Sequence, residues 1–286
     1  FIVVHAGSGA EQTGAAEDIW SHKWVLPDER TVEGAKVFGY LTIPEDAKIG
    51  VCAHEIGHLV FGWPDLYDTD YSSEGVGDWC LMGGGSWGLG GERPTHPSAW
   101  CKSNQGWVDV ANQATDAELT IADVKSGRKV HRLWKDGVQA NEYFLVENRM
   151  QDGYDDSLPG EGLLIWHIDD AVDSNRDERH FKVGLLQADG LRDLETGADR
   201  GDGGDSYPGT SGNSAFADMT TPSSKSYAGS PTGVSVTEIP DAADSVRVRV
   251  TVRGSAEPPD DLTSWRAGVD ARLDSLEHAV ERLTDG

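Results

Sequence analysis

The run His54-Glu-Ile-Gly-His58 constrains this chain more than any other feature it has. Histidines at i and i+4 share a face in a helix, one turn apart, so both rings reach a single Zn²⁺ at about 2.0–2.1 Å. Glu55 lies beside them, where a carboxylate takes a proton from a metal-activated water. The flanking residues predict a helix over 44–61. Pro44 falls in the first turn, where its missing N–H is harmless, and Glu45 and Asp46 sit at the positive end of the helix dipole. Ile49, Ala53, Ile56 and Val60 recur at helical spacing and form one apolar stripe. The histidines lie next to that stripe, so the helix is expected to bury the stripe and offer the imidazoles to a cleft. Gly62 and Pro64 end it.

A catalytic zinc takes three protein ligands and keeps one position open. Gly62-Trp-Pro-Asp65 follows the helix directly, and its glycine lets the chain turn back beneath the metal. Asp65 is the natural third ligand, with Asp68 and Glu74 behind it; a turn-forming carboxylate is the ordinary alternative for Asp65. Further on, Met82 sits in Gly77-Asp-Trp-Cys-Leu-Met-Gly-Gly-Gly-Ser-Trp87. By itself this reads as a core methionine in a loop. Placed after the histidine helix, it reads as a tight turn with a thioether packed under the imidazoles.

The remainder divides by composition. Residues 1–110 carry the metal motif, with strands at Phe1–His5 and Lys36–Ile43 and a Gly- and Trp-rich loop region after the helix. Residues 111–254 hold short apolar runs at regular spacing: Glu118–Ile121, Glu142–Glu147, Gly162–Ile168, Lys182–Gln187, Gly233–Ile239 and Val246–Val252. Strict alternation in Arg247-Val-Arg-Val-Thr-Val252 predicts antiparallel strands with one wet face, hence a β-sandwich. Residues 255–286 read as a linker and an amphipathic helix, with Leu262, Trp265, Val269, Leu273, Leu276, Val280 and Leu283 on one side. That helix is expected to pair with itself, with another chain, or with its own domain. The fold class is α+β.

Acidic residues number 49 against 24 Lys and Arg, a formal charge of −25. A chain so negative is repelled by a phosphate backbone, which excludes nucleic-acid binding as its main task. No apolar run reaches the roughly 18–20 residues of a membrane span. The charge suits a solvated secreted protein. The chain opens at Phe1 inside a strand with no signal peptide, which reads as a fragment or a trimmed product. Cys52, Cys80 and Cys101 are too few for a disulfide framework; one Cys80–Cys101 bridge or three buried thiols are the alternatives.

Other candidates are weaker. Asp199, Asp202 and Asp205, with Asp189 and Asp193 nearby, offer hard oxygens on Gly-rich backbone that suit Ca²⁺, or form a solvated acidic loop. His96, Tyr67 and Tyr71 are candidate cleft residues or structural ones. His167 alternates with Leu163 and Ile165 and reads as a satisfied core histidine.

The histidine motif, then Gly62-Trp-Pro-Asp-Leu-Tyr-Asp68, then Asp78-Trp-Cys-Leu-Met-Gly-Gly-Gly-Ser-Trp87 resembles the immune inhibitor A family of secreted bacterial metallopeptidases. Asn141–Arg149, Leu158–Asp169 and Gly201–Gly209 extend the resemblance to about residue 252. It implies a metzincin-like fold with a zinc helix, a third ligand after a turn, and a Met-turn at Met82. It also implies endopeptidase action on proteins or peptides, one catalytic zinc and structural calcium. One departure is visible. The family places two residues between the second histidine and the glycine, whereas this chain has three, Leu59-Val-Phe61. A bulge or a longer last turn is expected to absorb the third.

The expectation is a zinc endopeptidase with ligands His54, His58 and Asp65 and with Glu55 as general base. Its substrate is expected to pair with a strand near Lys36–Ile43. The competing expectation is a calcium-stabilised β-sandwich binding module that carries a degenerate remnant of the zinc helix.

Overall fold

The computed structural model describes residues 1–253; the linker and terminal helix expected over 255–286 lie outside them. Mixed helix and sheet content agrees with the α+β expectation. Eleven strands run in chain order: β1 Ile2–His5, β2 His22–Val32, β3 Ala35–Pro44, β4 Asp109–Asn112, β5 Ala117–Ala122, β6 Lys129–Leu133, β7 Glu142–Arg149, β8 Gly162–Asp169, β9 Val183–Leu185, β10 Ser235–Thr237 and β11 Ser245–Thr251. Two helices position the site, α1 at Ile49–Ile56 and α2 at Ala99–Asn104.

The first sheet has the order β1-β3-β2, with β1 parallel and β2 antiparallel to β3. β1 covers β3 only over Leu41–Pro44, while β2 pairs along its other side. The outer edges belong to β1 and β2, and it is β2, through His22 and Lys23, and not Lys36–Ile43, that borders the space beside His54 and His58, which corrects the expectation for that strand. The sheet also takes Pro44, which pairs with His5 at the end of β3. The helix accordingly starts at Ile49, after Lys48, and not at Pro44.

The expected apolar stripe is not the packed face of α1. Ile49 is 51% exposed and Val60 64%, whereas Gly50, Val51, His54 and Glu55 are buried. Two glycines explain the reversal. A Cβ on Gly50 would lie 1.8 Å from the Ser86 carbonyl oxygen, and one on Gly57 would lie 2.6 Å from Met82 Sδ. The helix docks by close backbone approach through its glycines, and its histidine side faces the core region.

The second sheet has the order β4-β6-β7-β8-β9 and the third β10-β11-β5. These two sheets face each other across a core of Phe144, Val146, Leu163 and Ile165 from one and Ile121, Val246, Val248 and Val250 from the other. The sandwich is not wholly antiparallel, because β4 and β6 run parallel. On its other face the five-stranded sheet packs Leu145, Leu164, Trp166 and Ile168 against Trp63, Trp79, Met82 and Trp100. One apolar core thus runs across residue 110 and ties the histidine region to the sandwich. Each large side chain so buried contributes about 1.5–3 kcal/mol.

Candidate metal centre

His54 and His58 leave the helix on its buried side, and each ring is anchored at its far nitrogen. His54 Nδ1 donates to the Leu81 carbonyl at 2.9 Å, and His58 Nδ1 donates to the Trp63 carbonyl at 2.6 Å. A carbonyl only accepts, so both Nδ1 atoms carry the proton and both Nε2 atoms of the neutral rings present lone pairs. Those two nitrogens stand 3.1 Å apart. Asp65 Oδ1 lies 3.1 Å from His54 Nε2 and 3.0 Å from His58 Nε2. Neighbouring donors around a tetrahedral zinc with bonds of about 2.0–2.1 Å are about 3.3 Å apart. Two lone pairs and a carboxylate converging on one point repel unless a cation lies between them, so the donor set fits Zn²⁺. Asp68 and Glu74 do not enter. Asp68 accepts from Asp70 N, Ser72 Oγ and Ser73 Oγ, and Glu74 pairs with Arg200.

The additional residue after His58 is absorbed by a change of helix type. Gly57–Phe61 forms a π-helical turn, and Gly62 then reverses the chain at φ 70°. A π-turn accommodates one more residue per hydrogen-bonded loop than an α-turn, so Asp65 returns beneath the histidines despite the longer connection.

Glu55 is 5% exposed and its Oε2 has no hydrogen-bond partner. Burial pushes its carboxyl upward, against the pull of His54 and His58. Burial also tends to raise Asp65, but the two imidazoles set against it outweigh that and favour its ionised carboxylate, well below the usual range. Tyr67 stacks beside His54, with centroids 6.1 Å apart. Burial and the Asp65 charge raise that phenol. All of these groups line a cleft of about 850 Å³, together with Trp20, Ser21, His22, Lys23 and Tyr71. Met82 is fully buried against Gly57, and its carbonyl accepts from Leu66 N at 2.8 Å.

Comparison with known proteins finds likeness over this same part of the chain. Residues 1–113 match the immune inhibitor A peptidase M6 catalytic domain. This part of the chain is similar to that family. The pre-pro-metalloprotease PrtV of Vibrio cholerae serotype O1 is 40% identical over 120 residues, covering 35% of this chain and 13% of the relative. Immune inhibitor A of Bacillus thuringiensis subsp. alesti is 41% identical over 113 residues, covering 33% of this chain and 16% of the relative. The match therefore spans less than a fifth of the length of these relatives.

Outside the His54, His58 and Asp65 cluster, the sequence candidates separate. Asp202 and Asp205 do converge, but with Asp189 and not Asp199; their oxygens lie within 4.8 Å of one another. Asp199 instead accepts from Gly201 N. Asp189 was already a neighbour by composition, and its place in this cluster was hidden by its distance along the chain. His96 does not line the cleft; its backbone N–H donates to Asp155. The three cysteines are free, so the Cys80–Cys101 bridge is not formed, although both thiols are buried. His167 is a buried histidine paired with Glu142 at 2.9 Å.

Proposed function

We propose that the chain is a zinc-dependent endopeptidase of metzincin-like build that hydrolyses peptide bonds of protein substrates. The observation that carries this reading is the meeting of His54 Nε2, His58 Nε2 and Asp65 Oδ1 beside the unpartnered Glu55 Oε2, in an open cleft. Zinc held there would polarise the scissile carbonyl and acidify a water. Glu55 Oε2 takes the proton of the attacking water and returns it to the leaving amine nitrogen. The Leu81 and Trp63 carbonyls keep both imidazoles in the tautomer that leaves Nε2 free. An extended peptide adds to the outer edge of β2, whose His22 and Lys23 line the cleft. The binding-module alternative needs a degenerate helix, and the converging donors count against it.

Purified chain should carry one zinc, and phenanthroline should abolish cleavage of an unfolded protein substrate until zinc is returned. Full cleavage without stoichiometric transition metal would overturn the reading. An extracellular setting belongs to the same proposal. It rests on the net charge of −25 and on relatives named as pre-pro-enzymes. No helix among the described residues is long and apolar enough to cross a membrane.

We further propose that Asp189, Asp202 and Asp205 hold a structural calcium. Asp205 Oδ2 accepts from Trp79 Nε1 and Asp202 N, yet burial outweighs both and pushes its carboxyl up to about 7. A carboxyl raised on folding favours the protonated folded state. Its contribution to stability is present below about pH 4 and is lost as pH rises through about 7. Calcium needs the ionised form and offsets that loss. Millimolar calcium should therefore raise Tm more at pH 8 than at pH 5, and binding near pH 6 should release protons, seen as buffer-dependent heat in titration calorimetry. A Tm indifferent to calcium at both pH values would remove calcium from this site.

A further inference from the structure

Glu147-Asn148-Arg149 closes β7, and all three side chains are wholly buried. The sequence marks this run within Asn141–Arg149, and the reaction proposed above gives it no task. Strand alternation sends Glu147 and Arg149 to one face and Asn148 to the other. Asn148 Nδ2 donates to the Ala243 carbonyl at 2.8 Å, on the side of the three-stranded sheet. Arg149 faces the histidine region. Its guanidinium pairs with Asp155, Nη1 donates to the Trp79 carbonyl at 2.8 Å and Nη2 to the His96 carbonyl at 3.4 Å.

Both carbonyls bear on one peptide unit. Trp79 leads directly into the Cys80–Gly83 turn that contains Leu81, and Leu81 N donates to the same His96 oxygen. Leu81 O is the acceptor that fixes the His54 ring. Asp155 closes the loop by accepting from His96 N at 2.8 Å. A planar fork of donors grips two strands of backbone at once, which an ammonium on a flexible stem cannot do. Filling space would not require a buried cation, because apolar side chains of similar volume do that without desolvating charge.

We propose that Arg149, contributed by the five-stranded sheet and lying beyond the matched residues 1–113, is a positioning residue for the metal centre that acts through the Leu81 carbonyl on His54. This rests on the zinc reading above. It makes the second sheet part of the peptidase site and not an appended module.

The full chain tests it. Arg149→Lys keeps the charge beside Asp155 but loses the fork. Arg149→Met/Asp155→Leu removes both charges, so that neither is left buried alone. Either variant with native near-ultraviolet circular dichroism should bind zinc about 10–100-fold more weakly in chelator competition, the range for partners that orient metal ligands. Its cobalt-substituted form should show an altered visible absorption. Asn148→Ala, equally buried on the opposite strand face, should lower Tm while zinc affinity stays at the wild-type value. Coupling is reciprocal, so zinc added to metal-free wild type should also slow hydrogen exchange at the Arg149 guanidinium, a readout that needs no variant. Folded Arg149→Lys with wild-type zinc affinity, or exchange unmoved by zinc, would overturn the inference while leaving the zinc reading intact. Wild-type chain that binds no zinc defeats both.

Discussion

Glu55→Gln should lower kcat by about 10²–10⁴-fold, the span for loss of a positioned general base, while zinc content stays stoichiometric. The separation of these two quantities follows from the geometry. Glu55 is not one of the converging donors, so its replacement leaves His54, His58 and Asp65 in place. Its Oε2 accepts no hydrogen bond in the folded protein, and the amide of glutamine has nearly the same volume. The fold therefore loses no contact and no shape, and Tm should move little. What disappears is the one buried acceptor that takes a proton at the cleft floor. Burial has already raised the Glu55 carboxyl, which brings its basicity closer to that of a useful proton carrier at working pH. KM should change less than kcat, because the carboxylate acts on the reacting atoms and not on the bound peptide. Retention of full cleavage by zinc-loaded Glu55→Gln would remove this residue from the mechanism.

The metal motif was legible because its information is local. Two histidines and a glutamate on one helical turn carry their geometry in their spacing, and the structure keeps it. The helix start was not legible, because Pro44 has two compatible uses. A proline suits a first helical turn, but parallel pairing with β1 claims it, with Val3 opposite Thr42 and His5 opposite Pro44. Nor was the packed face of α1, since hydrophobic periodicity sees side chains and this helix docks where side chains are missing. Gly50 against Ser86 and Gly57 against Met82 are contacts made by the absence of a Cβ. β2 was unreadable for a related reason. Its Pro27-Asp-Glu-Arg30 stretch faces solvent at a sheet edge, where register shifts between Val25 and Arg30, so neither alternation nor apolar content marks it. The exchange of Asp199 for Asp189 is a tertiary choice: the chain returns Asp189 to Gly204, where Asp189 N donates to the Gly204 carbonyl at 3.1 Å.

Asp65→Ala should weaken zinc binding by more than the about 10–100-fold lost when a partner that merely orients a ligand is removed. Asp65 is a donor itself, and its loss leaves two imidazoles and no compensating charge. Asp68 and Glu74 cannot replace it, because the first is held by Ser72 and Ser73 and the second by Arg200. The variant matters because the connection from His58 is one residue longer than the family pattern, and the π-turn at Gly57–Phe61 is what brings Asp65 back. Deletion of Val60 provides the complementary result. Val60 is exposed, so removing it exposes no core, and the turn can relax to α-helical spacing with Gly62 still in position to reverse the chain. The deletion should keep zinc within a few-fold of wild type, whereas Asp65→Ala should not, both read by competition with a chromogenic chelator. If the deletion strips the metal as thoroughly as Asp65→Ala does, the π-turn is a requirement of the site in its own right. If Asp65→Ala retains zinc, the third donor lies elsewhere.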